Sequence, residues 1–150
     1  MSARRVGPTG KVYGLDMTEP MLSLANQNAL EAGITNIQFL RGRIENIPLP
    51  SNSVDIIISN CVINLSTDKD TALKESYRVL RTGGTFAVSD IVLKSELSPS
   101  VKQNMELWTG CVAGALLKRE YVEKLLSAGF KEAAVREVRV YDESDVCSPL

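Results

Sequence analysis

The chain has 150 residues, a net charge of −1, 44% apolar and 23% charged residues, and no histidine. This leaves room for one domain with a real core. The near-neutral charge and the lack of a basic run exclude nucleic acid as a partner, and the missing histidine removes the commonest general base and any histidine-based metal site or triad.

No apolar run approaches the ~20 residues of a membrane helix, so no membrane partner is expected. The opening Met-Ser-Ala-Arg-Arg-Val-Gly-Pro lacks the apolar core of a signal peptide, and three widely spaced cysteines do not suggest a disulfide framework. The expected location is cytoplasmic.

In chain order, residues 1–10 read as a loop, with turn chemistry at Gly7-Pro8-Thr9-Gly10. Lys11 to Leu15 is a short strand ending on Asp16. Thr18 is placed as the N-cap of a helix running to about Ala32, with Glu19 and Pro20 in its first turn. Leu22, Ala25, Ala29 and Ala32 make one narrow face, and Gly33 stops the helix. Asn36 to Arg41 alternates as a second strand, and Gly42 to Asn52 is a loop.

Val54 to Ser59 is an apolar, β-branched run. Its composition predicts a strand buried on both faces of a parallel sheet. It turns polar at Ser59-Asn60-Cys61. Ser66-Thr67-Asp68 caps a helix carrying Leu73, Tyr77 and Leu80 on one face, ended by Gly83-Gly84. Thr85 to Val92 is a strand. Ser98 to Trp108 reads as a helix, Gly110 to Ala115 as close-packing small residues, Lys118 to Ala128 as a helix, and Ala133 to Tyr141 as a last strand. The polar stretch 142–150 reads as a frayed tail behind a domain spanning 1–141.

Strands alternating with helices predict an α/β, doubly wound parallel sheet. Ligands of such sheets sit beyond the carboxyl ends of the strands. Asp16, the Arg41–Ile44 turn, Asn60-Cys61 and Asp90 line that edge. Asp16 stands where nucleotide folds place a carboxylate on ribose hydroxyls; the competing reading is a helix N-terminal charge worth ~0.3–1 kcal/mol. Ile44-Glu45 could flank the same pocket, or be exposed loop. Cys61 and Cys111, taken singly, read as small buried hydrophobes. The strand-end position of Cys61 raises it above that. Two thiols without histidine fit a thiophilic substrate better than a zinc site, which normally takes four ligands. No glycine-rich phosphate loop precedes Asp16.

Several segments carry a resemblance: Gly14-Leu-Asp-Met-Thr18, Ile-Ser-Asn-Cys-Val-Ile-Asn-Leu at 58–65, Tyr77-Arg-Val-Leu80 with Gly83-Gly84, Phe86 to Ile91, and Leu107-Trp-Thr-Gly-Cys-Val-Ala-Gly-Ala-Leu116. Together they resemble the arsenite S-adenosylmethionine methyltransferase family, from about Gly7 to Tyr141. The segments around Cys61 and Cys111 are the specific ones; the others are shared by class I methyltransferases broadly.

The resemblance implies that Cys61 and Cys111 hold trivalent arsenic as thiolates. It implies that Asp16 and Met17 contact the ribose and adenine of S-adenosylmethionine, that Ile44 and Glu45 flank the adenine, and that Asn60 lies beside the cofactor. The substrate would be arsenite or its thiol conjugate, with a thiol reductant as a further partner and no resident metal. The family's first strand and glycine-rich loop have no counterpart here, nor do an N-terminal segment with a further cysteine and a region beyond Tyr141. The sequence therefore reads as part of a catalytic domain. Its sheet is expected to be split between the strands at 11–15 and 54–59, leaving edges open to self-association. Two other readings stay open: an As(III)-binding thiol module without catalysis, and a class I methyltransferase for another small molecule.

Overall fold

Each strand pair described here is parallel, because a helix or long crossover separates each strand from its partner in the chain. The computed structural model describes residues 2–96 and 114–140. A helical turn α1 (Ser2–Arg5) leads to β1 (Val12–Asp16), α2 (Glu19–Glu31) and β2 (Ile37–Arg41). Then come β3 (Val54–Asn60), a short α3 (Val62–Leu65), α4 (Lys69–Val79), β4 (Leu80–Ser89), β5 (Val92–Leu93), β6 (Leu116–Leu117) and α5 (Lys118–Ala128).

The strands form three separate pairs. β1 lies on β2 from Val12↔Ile37 to Asp16↔Arg41, β3 on β4 from Ile56↔Thr85 to Asn60↔Ser89, and β5 on β6. The doubly wound sheet is thus divided into two-stranded pieces, as the open position between residues 11–15 and 54–59 leads one to expect.

The expectation that β3 is buried on both faces is corrected. Ile57 and Ser59 turn toward the helices, whereas Ile56 and Ile58 are 62% and 71% exposed. An apolar composition states what a strand needs, but a covering layer must be supplied by other elements. Here helices pack on one face of the β3–β4 pair.

The core lies between that face, α4 and α5. Ile63, Ala72 and Leu73 are wholly buried, joined by Tyr121 and Leu125. Burial of each large aliphatic side chain contributes ~1.5–3 kcal/mol. Phe130 packs between Tyr77 (ring centroids 5.3 Å apart) and Phe86 (5.6 Å). The chain reaches this place by turning at Gly129, whose φ of +115° disfavours a side chain and whose missing Cβ leaves room for the Tyr77 ring.

Four other expectations change. Residues 1–10 are not all loop: α1 forms and Ala3 is buried, because Asn36 Nδ2 donates to the carbonyls of Ala3, Gly7 and Gly10. Thr18 does occupy the N-cap of α2, but its hydroxyl donates to Asp16 rather than capping. α4 ends at Val79, before Gly83-Gly84; the chain enters β4 at Leu80, and the glycines fall where the pairing with β3 shifts register. Residues 133–140 form no strand. Their alternation finds no neighbouring edge among the described residues, and Val138 is 93% exposed. The predicted helix 98–108, Cys111 and the tail from 142 lie outside the described residues.

Candidate active site

Parallel pairing brings the carboxyl ends of β1 and β2 to one edge and those of β3 and β4 to another, and polar residues stand at both. At the end of β1, Asp16 Oδ1 accepts from both the N–H and the hydroxyl of Thr18, each at 2.7 Å. These bonds hold the carboxyl below the ordinary carboxylate range, so it is ionised and oriented at the surface. Met17 beside it is 60% exposed.

The turn after β2 is tied to this point, since Gly42 N–H donates to the Asp16 carbonyl at 3.0 Å. Ile44 turns inward against the Ile63–Leu73 cluster. Glu45 reaches the far side: its Oε1 accepts from the Ser66 hydroxyl at 2.5 Å, and its Oε2 faces Arg43 at 3.4 Å. Burial pushes Glu45 up, but Ser66, its own N–H and Arg43 outweigh that and hold it below its usual value. Ser66 closes α3, the helix that begins after Cys61. Asp16, the 42–45 turn and the Cys61 segment are therefore joined through backbone and side-chain bonds.

At the end of β3, Asn60 is exposed and pairs in register with Ser89. Cys61 then takes φ +58°, ψ 9°, the left-handed region. For a non-glycine residue this costs ~1–2 kcal/mol and persists only where its surroundings impose it. The bond from Cys61 N–H to Ser89 O at 2.9 Å fixes one side of the turn. The buried Asn64 fixes the other, its Nδ2 donating to Ile91 O at 2.8 Å.

Between these anchors lies Asp90, whose Oδ2 accepts from the Tyr121 hydroxyl at 2.9 Å. Burial raises the Asp90 carboxyl above its ordinary value, against the opposing pull of Tyr121 and of the Cys61 and Asn64 N–H groups. Burial, with Asp90 beside it, likewise raises the Tyr121 hydroxyl. Among the described residues, three buried side-chain oxygens lack a hydrogen-bond partner: Ser59 Oγ, Asn64 Oδ1 and Asp90 Oδ1. All three belong to the segments that frame Cys61.

The structure thus brings Asp16, Met17, Ile44, Glu45, Asn60 and Cys61 onto strand ends, while Cys111 lies outside the described residues. Sequence reasoning placed Asp90 on the edge without giving it a role. It gave Tyr121 and Asn64 no role. Polar residues inside otherwise apolar stretches were the available signal. Which atoms they meet is set by contacts some 27–31 positions away in sequence.

A family model described as a methyltransferase domain matches residues 1–129. The arsenite methyltransferase of Halobacterium salinarum is 39% identical over 144 residues, covering 96% of this chain and 36% of that protein. The arsenite methyltransferase of Mus musculus is 39% identical over 134 residues, covering 83% of this chain and 36% of that protein. Among solved structures, an arsenic(III) S-adenosylmethionine methyltransferase from Chlamydomonas reinhardtii superposes with a TM-score of 0.82 at 35% identity, covering 95% of this chain and 52% of that one. The chain spans 36% of the length of each of these two curated relatives.

Proposed function

Because the chain belongs to the methyltransferase domain family, we propose that it carries the arsenic-holding edge of an S-adenosylmethionine-dependent arsenite methyltransferase. The observation that carries this reading is the left-handed Cys61 at the end of β3, in a chain whose similarity to arsenite methyltransferases runs over 96% of its length.

Cys61 and Cys111 hold trivalent arsenic through sulfur, the ligand type that soft centres favour. Two thiolates on one arsenic restrict its motion, an orientation effect. Asp16 offers an ionised carboxylate to ribose hydroxyls, Met17 and the Ile44-Glu45 turn flank the adenine, and Asn60 lies beside the cofactor. The donor set fits that ligand: an ionised surface carboxylate suits a diol, and an edge rich in oxygen acceptors suits a ligand bearing positive charge. When bound, S-adenosylmethionine supplies a methyl group on a sulfonium. The chain's residues bind and orient, and none needs to move a proton for that transfer. Arsenite or its thiol conjugate is the substrate, and a thiol reductant keeps the cysteines reduced, in keeping with a cytoplasmic site of action.

The open edges of β1 and β3 favour a second reading, in which this chain captures arsenite without transferring a methyl group, and self-associates through those edges. Calorimetric titration of the reduced 150-residue chain with S-adenosylmethionine and then arsenite separates the two. Binding of both, with Cys61→Ser or Cys111→Ser losing arsenite alone, supports the methyltransferase. Arsenite binding without cofactor binding supports the capture module. Arsenite binding that survives Cys61→Ser overturns both.

A further inference from the structure

We infer that Asp90, backed by Tyr121, is the positioning residue that holds the Cys61 turn and so presents its thiol at the sheet edge. The segment Ser89–Ile91 meets the segment Cys61–Asn64 at three successive points. Ser89 O takes the Cys61 N–H at 2.9 Å, Ile91 O takes Asn64 Nδ2 at 2.8 Å, and the Asp90 carboxylate stands between them. Its Oδ1 is out of solvent and takes no hydrogen bond of good geometry, yet the N–H groups of Cys61 and Asn64 lie near enough to favour its charge.

On its other side, Oδ2 is held by the hydroxyl of Tyr121, a residue 2% exposed in the core cluster. α5 therefore reaches through Tyr121 and Asp90 to the turn that carries the thiol. A half-buried carboxylate is costly to keep, and a left-handed cysteine is costly to keep. A strained turn needs an anchor: by holding Asp90 Oδ2, the Tyr121 hydroxyl pins the segment whose Ser89 and Ile91 carbonyls take the Cys61 N–H and Asn64 Nδ2. Lys69, the cation acting on Asp90, is itself held through its bond to Ser66 O at 2.9 Å.

The arsenite part of this inference rests on the proposed function; the part concerning the turn does not. The test is alkylation of the intact chain by iodoacetamide, read at each cysteine by peptide mass spectrometry, alongside arsenite titration. Asp90→Asn and Tyr121→Phe should each speed labelling of half-buried Cys61 at least threefold, with Cys147 unchanged as internal control. Each should weaken arsenite binding about tenfold. Faster labelling at all three cysteines of Asp90→Asn marks unfolding of that variant, and Tyr121→Phe, which removes one hydroxyl, then decides. Unchanged Cys61 labelling in the folded variants overturns the inference, as does unchanged arsenite affinity where the parent chain binds it. If labelling changes as expected and the parent chain binds no arsenite, the positioning role stands and the arsenite reading fails.

Discussion

At the residue scale, the role proposed for the Cys61 thiol is set against a requirement of the backbone. A left-handed φ is natural to glycine and costly to cysteine. Cys61→Gly should raise the unfolding free energy by about 1 kcal/mol over Cys61→Ala, and on the proposed function both variants should lose arsenite binding. Chemical denaturation of the pair, with calorimetry on each, checks this; equal stabilities would show that the turn is unstrained. The sequence located the thiol at a strand end, because the switch from β-branched to polar residues is local. It held no sign of the left-handed turn, which depends on Ser89, Asp90 and Ile91 closing against it.

At the element scale, the loop 42–52 is shaped by α4. Arg78 donates to Leu49 O and Ile47 O at 2.8 and 2.9 Å, and Glu75 accepts from Ile47 N–H at 2.9 Å while paired with Arg78 at 2.7 Å. Sequence reading reached a proline-bearing loop there, but not its anchor, since Glu75 and Arg78 look like an ordinary exposed helical pair. The Arg78 hydrogen bond, against the cost of burial, holds the Glu75 carboxyl below its usual value of 4.5. A lowered folded-state value stabilises the protein above the unfolded-state value, and that stability is lost as pH falls through the folded one. Glu75→Gln should therefore cost about 2 kcal/mol near neutral pH and flatten the decline in stability below pH ~4.5. Denaturant midpoints between pH 3 and 7 measure both. In the core, Leu73→Ala, at a wholly buried position, should cost ~2–5 kcal/mol by the same measurement.

At the scale of the whole molecule, the divided sheet governs behaviour. β1 and β3 each pair on one side among the described residues, and β3 turns Ile56 and Ile58 outward. An open strand edge beside exposed apolar side chains is a template for another strand. On the proposed strand-edge association, Ile58→Lys should shift the sedimentation of the chain toward monomer, and on the proposed function it should leave arsenite affinity within about twofold, as expected of a residue outside the thiol turn. An unaltered sedimentation profile would remove the β3 face from the association.

The amino-acid sequence by itself determined the order β1, α2, β2, β3, α4, β4 and α5 and the span Lys118–Ala128, and it led one to expect the divided sheet. Periodicity, caps and glycine stops act over a few neighbouring residues. Tertiary structure decided the burial of β3, the fate of residues 133–140, the short α3 and the Asp90–Tyr121 support beneath Cys61. Each of these is a relation between segments distant in the chain. A strand is covered, an alternating stretch pairs, and a strained residue is held only if another element arrives to do it.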